Sequence, residues 1–130
     1  MIRVACAIIE KDKKILLAQR SEKMPLPLKW EFPGGKIEPG ETPEACLARE
    51  MAEEFQVEVS VGRFFGVSLW ESGRGCIELL AYVCTWQSGA FVPVVHAAYR
   101  WVPLAEVVGY DLAPADVPLA VQLQADGLDR

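Results

Sequence analysis

Glu50, Glu53 and Glu54 stand at i, i+3 and i+4, so on a helix they share one flank. Like charges that close repel one another, each pair destabilising a helix by about 0.2–0.5 kcal/mol. A cation among them removes the repulsion. Hard carboxylate oxygens suit magnesium, or manganese, and such ions commonly work on phosphates. Arg49 adjoins the acids. The pair Gly34 and Gly35 precedes them, and glycine permits close backbone approach to a ligand.

The elements that must position these groups follow from local signals. Thr42 suits a helix N-cap, Pro43 the first helical position and Glu44 the positive helix end. At about 100° per residue, Ala45, Ala48, Met51, Ala52 and Phe55 share one face, with the three glutamates roughly opposite. The helix is expected to pack its apolar side on a sheet and turn its acidic side to a cleft. Before it, Ile2 to Glu10 and Ile15 to Arg20 read as a hairpin around the polar turn Lys11–Lys14. Residues 21–28, with Pro25 and Pro27, read as a loop, and Trp30 to Phe32 as a short strand that Pro33-Gly34-Gly35 breaks. After it, Val57 to Leu69 is a predicted strand bent at Gly62 or Gly66, and Trp70 to Gly75 a turn. A strand over Ile77 to Trp86, a loop over 87–96 and a short strand over Tyr99 to Val102 follow. The chain then reads as a helical turn over Pro103 to Val107 and a last helix over Pro118 to Ala125. The pattern predicts an α+β domain, a mixed sheet with helices on its faces.

Composition narrows the function. The 130 residues suffice for one domain with its own core. A net charge of −5 without a basic stripe argues against binding a nucleic-acid polymer, yet allows a small nucleotide held through a metal ion. No apolar run approaches the roughly 18 residues of a membrane span. The N-terminal stretch has no basic lead and no small-residue cleavage site, so it reads as a strand rather than a signal peptide. Cys6, Cys46, Cys76 and Cys84 lack CxxC spacing and sit among apolar residues, pointing to reduced thiols in a cytoplasmic protein rather than zinc or disulfides. Trp30, Trp70 and Phe91 either supply a homodimer surface or pack internally in a monomer.

Gly35, Glu41, Arg49, Glu50, Met51, Glu53, Glu54 and Val57 fall at fixed spacing, and the array resembles the box of the Nudix hydrolases. The departure is Gln56, where the family usually has glycine; that position closes the helix, where a left-handed backbone is easy only for glycine. The stretch WEFPGGKIEPGETPE is similar to MutT-type nucleotide sanitisers. LLAQR and YDLAPADVPL look like the bacterial CTP pyrophosphohydrolase branch. The resemblance implies a single Nudix domain over 1–130, box 35–57, folded as an α/β/α sandwich around a mixed sheet. It implies Mg²⁺-dependent attack of water on a nucleoside di- or triphosphate, with hydrolysis of another nucleoside diphosphate linkage, or nucleotide binding by a catalytically weak relative, as alternatives.

Carried onto this chain, the family roles make Glu50, Glu54, Glu53 and the Gly34 carbonyl metal ligands. Arg49 pairs with Glu41 to hold the box, unless it is a solvated surface arginine. Arg20 aligns with a nucleotide-contacting arginine, although a strand-end position also accounts for it. Phe32 stands where it packs on a base or simply joins the core. Asp116 falls where MutT reads the base; an ionised Asp only accepts, and so suits a base edge with N–H donors. It also suits a helix N-cap. Arg74 is a phosphate candidate on a turn. MutT-like proteins often carry a further glutamate where this chain has Val95, and no acid occurs between Glu78 and Glu106. His96 is a candidate proton acceptor or a structural histidine, leaving Glu53 as the base by default.

Overall fold

The first strand finds its main partner far along the chain. In the computed structural model, which describes residues 1–128, β1 (Ile2–Lys11) runs parallel to β6 (Gly75–Ser88), from Ile2↔Ile77 to Ile9↔Cys84. The central strand of a mixed sheet must be apolar on both faces, and β1 is. Its Cys6 and Ile8 point to one core and its Ala5, Ala7 and Ile9 to the other. Around it stand β2 (Lys14–Gln19), β3 (Trp30–Glu31), β4 (Gly34–Lys36), β5 (Glu58–Ser72) and β7 (Ala98–Pro103). The order is β3-β2-β1-β6-β5, with β4 on β1 and β7 on β2. Helix α1 (Pro43–Phe55) covers one face, and α2 (Val117–Asp126) covers the other. This is the expected α+β sandwich.

Helix α1 begins as anticipated, with the Thr42 hydroxyl accepting from the Ala45 N–H at 3.1 Å. Its buried face differs. Cys46, Leu47, Met51 and Phe55 are inside, while Ala45, Ala48 and Ala52 are exposed. The larger side chains remove more apolar area from water, so they take the core positions. Glu50 and Glu54 are thereby turned inward, beside the core rather than opposite it. The helix closes on Gln56 in the left-handed region, φ 60° and ψ 34°, its N–H returning to the Ala52 carbonyl.

Two further expectations are corrected. The glycine pair does not merely break a strand: Gly34, Gly35 and Lys36 pair antiparallel with Cys6, Ala5 and Val4. Glycine is needed at Gly34, where a Cβ would lie 1.9 Å from the Ala5 backbone oxygen; at Gly35 a Cβ would lie 2.3 Å from the Glu50 carboxyl carbon, which a side-chain movement could relieve. The β5–β6 hairpin also runs longer than expected. Trp70, Glu71 and Ser72 stay paired to Ile77, Cys76 and Gly75, leaving Gly73 and Arg74 as the turn. The bend near Gly62 and Gly66 is present as irregular register between Val61 and Gly66. Trp30 and Trp70 pack, partly buried, against the core, and Phe91 is buried. The four cysteines are free. No helix among the described residues is long and apolar enough to cross a membrane.

Candidate active site

Three residues one turn apart, Cys46, Glu50 and Glu54, line the flank of α1 that faces β4. Arg49 organises the acids beside them. Its Nε donates to Glu41 Oε2 (2.7 Å) and its Nη2 to Glu41 Oε1 (3.0 Å), a bidentate pair. Its Nη1 reaches Glu50 Oε2 (2.9 Å) and Glu53 Oε1 (3.1 Å), and Nη2 also reaches the Lys36 carbonyl (3.2 Å). The Arg49 hydrogen bond, with help from the Glu38 backbone, draws the Glu41 carboxyl down to about 2. Arg49 is therefore a structural hub and not a free surface charge. Cys46 is fully buried, and its thiol donates toward the Gly35 (3.5 Å) and Lys36 (3.4 Å) carbonyls. Burial, then the nearby Glu41 charge, pushes that thiol up to about 11, so it keeps its hydrogen.

Glu54 is the strained member of the trio. Its Oε1 is shut from solvent and has no hydrogen-bond partner. Burial first, then the charge of Glu50, pushes its carboxyl up to about 8. Glu31, which the sequence reading passed over, adds negative charge from β3. Glu31 is bracketed by two nitrogens: Arg20 Nη1 donates to Oε1 and His96 Nε2 to Oε2, both at 2.8 Å. The His96 side chain is 1% exposed and its ring stacks on Phe55 with centroids 5.2 Å apart. With Nε2 engaged and the ring enclosed, His96 braces Glu31, while its buried Nδ1 has no hydrogen-bond partner. Its loop is tied down as well, Val92 and Val94 donating N–H groups to the Phe55 and Glu54 carbonyls. Val95, in the same loop, points to solvent.

The remaining candidates are spread more widely. Arg20 also donates from Nε to the Pro25 carbonyl (2.6 Å). Phe32 is 2% exposed and sits in the α2-side core. Asp116 is 5% exposed and makes no capping bond to α2; its Oδ2 instead accepts from the Phe32 N–H at 2.9 Å. Burial, then the Glu31 charge, pushes its carboxyl up to about 8. The shift favours the protonated carboxyl, which donates as well as accepts, where the sequence suggested an ionised group that only accepts. Arg74 lies at the β5–β6 turn, its backbone bonded to Ser72. The Glu31 charge thus acts on both the half-buried Glu54 and the buried Asp116.

The Nudix domain family matches residues 1–123 of the chain. The chain belongs to the Nudix family. It is a Nudix hydrolase, and it is similar to proteins named for nucleotide hydrolysis. It is 41% identical to the CTP pyrophosphohydrolase of Escherichia coli K12 over 92% of this chain and 88% of that one. It is 40% identical to a putative 8-oxo-dGTP diphosphatase 2 of Mycobacterium tuberculosis, over 88% of this chain and 82% of the relative. The solution structure of the E. coli ORF135 protein superimposes with a TM-score of 0.83 at 38% identity, covering 99% of this chain and 95% of that one.

Nudix hydrolases generally use a divalent metal ion. The donor set fits one. Glu50 and Glu54 offer hard oxygens, and the orphaned Glu54 Oε1 lacks positive charge at a place its pKa shows to be unfavourable for an anion. The box acids do not yet meet at a point: Glu53 is drawn to Arg49 with its side chain 60% exposed, and among the described residues no three acidic, histidine or cysteine side chains gather at ligating distance. A signal for Glu31 does exist in the sequence. In a short strand, Trp30 and Phe32 share the apolar face, so the charge between them must point the other way, toward α1.

Proposed function

We propose that this Nudix hydrolase cleaves a nucleoside triphosphate to the monophosphate and pyrophosphate, with Mg²⁺ as its ion and Mn²⁺ as a substitute. The observation that carries the reading is Glu54: an enclosed carboxylate oxygen without a partner, pressed against Glu50 at the inner wall of the box. Glu50, Glu54 and the Gly34 carbonyl would hold the ion, with Glu53 as a further donor. When bound, such an ion neutralises polyphosphate charge and acidifies water.

The chain supplies the rest. Glu53, exposed at the helix edge, is placed to take a proton from water, and Arg49 sets its position. Arg49 is held in turn by Glu41. Arg20, with Nε and Nη1 already engaged, keeps Nη2 for a phosphate or ribose oxygen. Phe32, buried beside the site, donates its backbone N–H to Asp116 and so fixes that carboxyl. Neutral Asp116 can donate its O–H to an acceptor on the base, and cytosine and 8-oxoguanine both carry such carbonyls. Arg74, on the exposed turn, remains a phosphate contact to be tested. The names of the relatives at 41% and 40% identity point to the same substrate class. We place the protein with nucleotide-pool sanitation, and its partner is the small nucleotide itself.

A panel of CTP, dCTP, 5-hydroxy-CTP, 8-oxo-dGTP and 2-oxo-dATP with Mg²⁺ tests the reading, the expected products being nucleoside monophosphate and pyrophosphate. The exposed Val95 in place of a loop acid favours one competing reading, a nucleotide binder with weak turnover. Nucleotide bound without pyrophosphate release would select that reading. With a nucleotide sugar added to the panel, hydrolysis confined to it would select a different diphosphate substrate.

A further inference from the structure

We propose that Cys46 is a positioning residue for the metal site, its thiol fixing the β4 carbonyls against α1 and so setting the gap between Gly34 and the Glu50–Glu54 pair. The inference rests on the proposed ligand set, and it concerns a residue outside that set.

The argument is one of geometry. Cys46 occupies the same helical stripe as Glu50 and Glu54, one turn before Glu50. β4 is confined on both sides. Toward β1, Gly34 approaches the Ala5 oxygen too closely for any Cβ, and toward α1, Gly35 lies against the Glu50 carboxylate. Only the spacing along the helix flank remains to be set, and two donors set it. Arg49 Nη2 holds the Lys36 carbonyl from the outer side at 3.2 Å. The Cys46 thiol holds the Lys36 and Gly35 carbonyls from the inner side at 3.4 and 3.5 Å. These carbonyls directly follow Gly34, whose own carbonyl is the proposed ligand. A thiol is a weak donor, but here it is enclosed, and it reaches Gly35 and Lys36 from the helix side while β1 and Arg49 hold β4 from elsewhere. Losing it would let β4 slide on the helix. The carbonyl and the carboxylates would then meet an ion at the wrong separation, as happens when outer partners of metal ligands are removed.

The test compares Cys46→Val, a somewhat larger apolar side chain that deletes the donor, with Cys46→Ser, which keeps a donor. Free Mn²⁺ is titrated into each protein without substrate and followed by electron paramagnetic resonance, and each protein is melted in parallel. Cys46→Val is expected to weaken Mn²⁺ binding about tenfold with the melting temperature nearly unchanged. Cys46→Ser is expected to bind close to wild type. Wild-type affinity in Cys46→Val would overturn the proposal and make the thiol a core filler. Equal losses in both variants, tracking their melting temperatures, would overturn it too. Failure of the wild-type protein to bind Mn²⁺ at all would instead remove the proposed metal site beneath it.

Discussion

Glu53 is the box glutamate least needed by the fold. Its side chain is exposed and its one partner, Arg49, is already held by Glu41 and Glu50. Glu53→Gln should therefore change unfolding free energy by less than about 0.5 kcal/mol, as exposed ion pairs do. If Glu53 is the base, steady-state turnover should fall by about 10²–10⁴; a variant that unfolds instead would assign the acid to structure. Asp116 behaves oppositely. Its carboxyl is raised to about 8 in the folded chain, so between the ordinary carboxylate range and pH 8 the folded state binds more protons than the unfolded one. Stability should be full at the acid end of that window and fall as pH rises through it. Denaturant melts at several pH values should show this slope in the metal-free protein. Asp116→Asn, which cannot ionise, should flatten it, while Glu54 keeps its own share of the slope. An unchanged slope would mean that Asp116 is ionised in the fold.

At the scale of elements, the backbone around the box is tighter than its composition suggests. Gly35→Ala would drive a Cβ to 2.3 Å from the Glu50 carboxyl carbon, a flexible side chain that can swing away. The expected result is a folded protein with weakened metal binding, measured by Mn²⁺ titration. Gln56 illustrates the converse, a residue held at φ 60° where glycine is at ease. Gln56→Gly should raise stability by about 1 kcal/mol in a denaturant melt, the order of the left-handed penalty on a residue with a Cβ. The start and end of α1 were legible in the sequence because Thr42, Pro43 and the family pattern near Gln56 act within a few residues. The pairing of β4 was not, since glycine locally signals a break and only its distant partner β1 makes it a strand. The inward turn of Glu50 and Glu54 escaped a periodicity that weighed Ala45, Ala48 and Ala52 equally with Leu47 and Met51. The Glu31–His96 bond joins residues 65 apart, and nothing in either neighbourhood announces it.

For the whole molecule, folding and ion binding should be coupled, because the acids that destabilise one another in the metal-free protein are relieved by a cation. At an ion concentration of 100 times Kd, linkage adds about 2.7 kcal/mol, or a rise of roughly 10 °C in melting temperature for a domain of this size. Mg²⁺ added after EDTA treatment should produce that shift by calorimetry, and Glu54→Gln should suppress it; the same melting curve with and without the ion would count against the site. The pairing of β1 with β6 has a bearing on how the protein is made. Ribosomes add about 5–20 residues per second, so the apolar segment 2–9 leaves the exit tunnel seconds before 77–84 has been synthesised. Until then the nascent chain carries its most hydrophobic stretch with its principal neighbour missing, a natural landing place for a chaperone during translation.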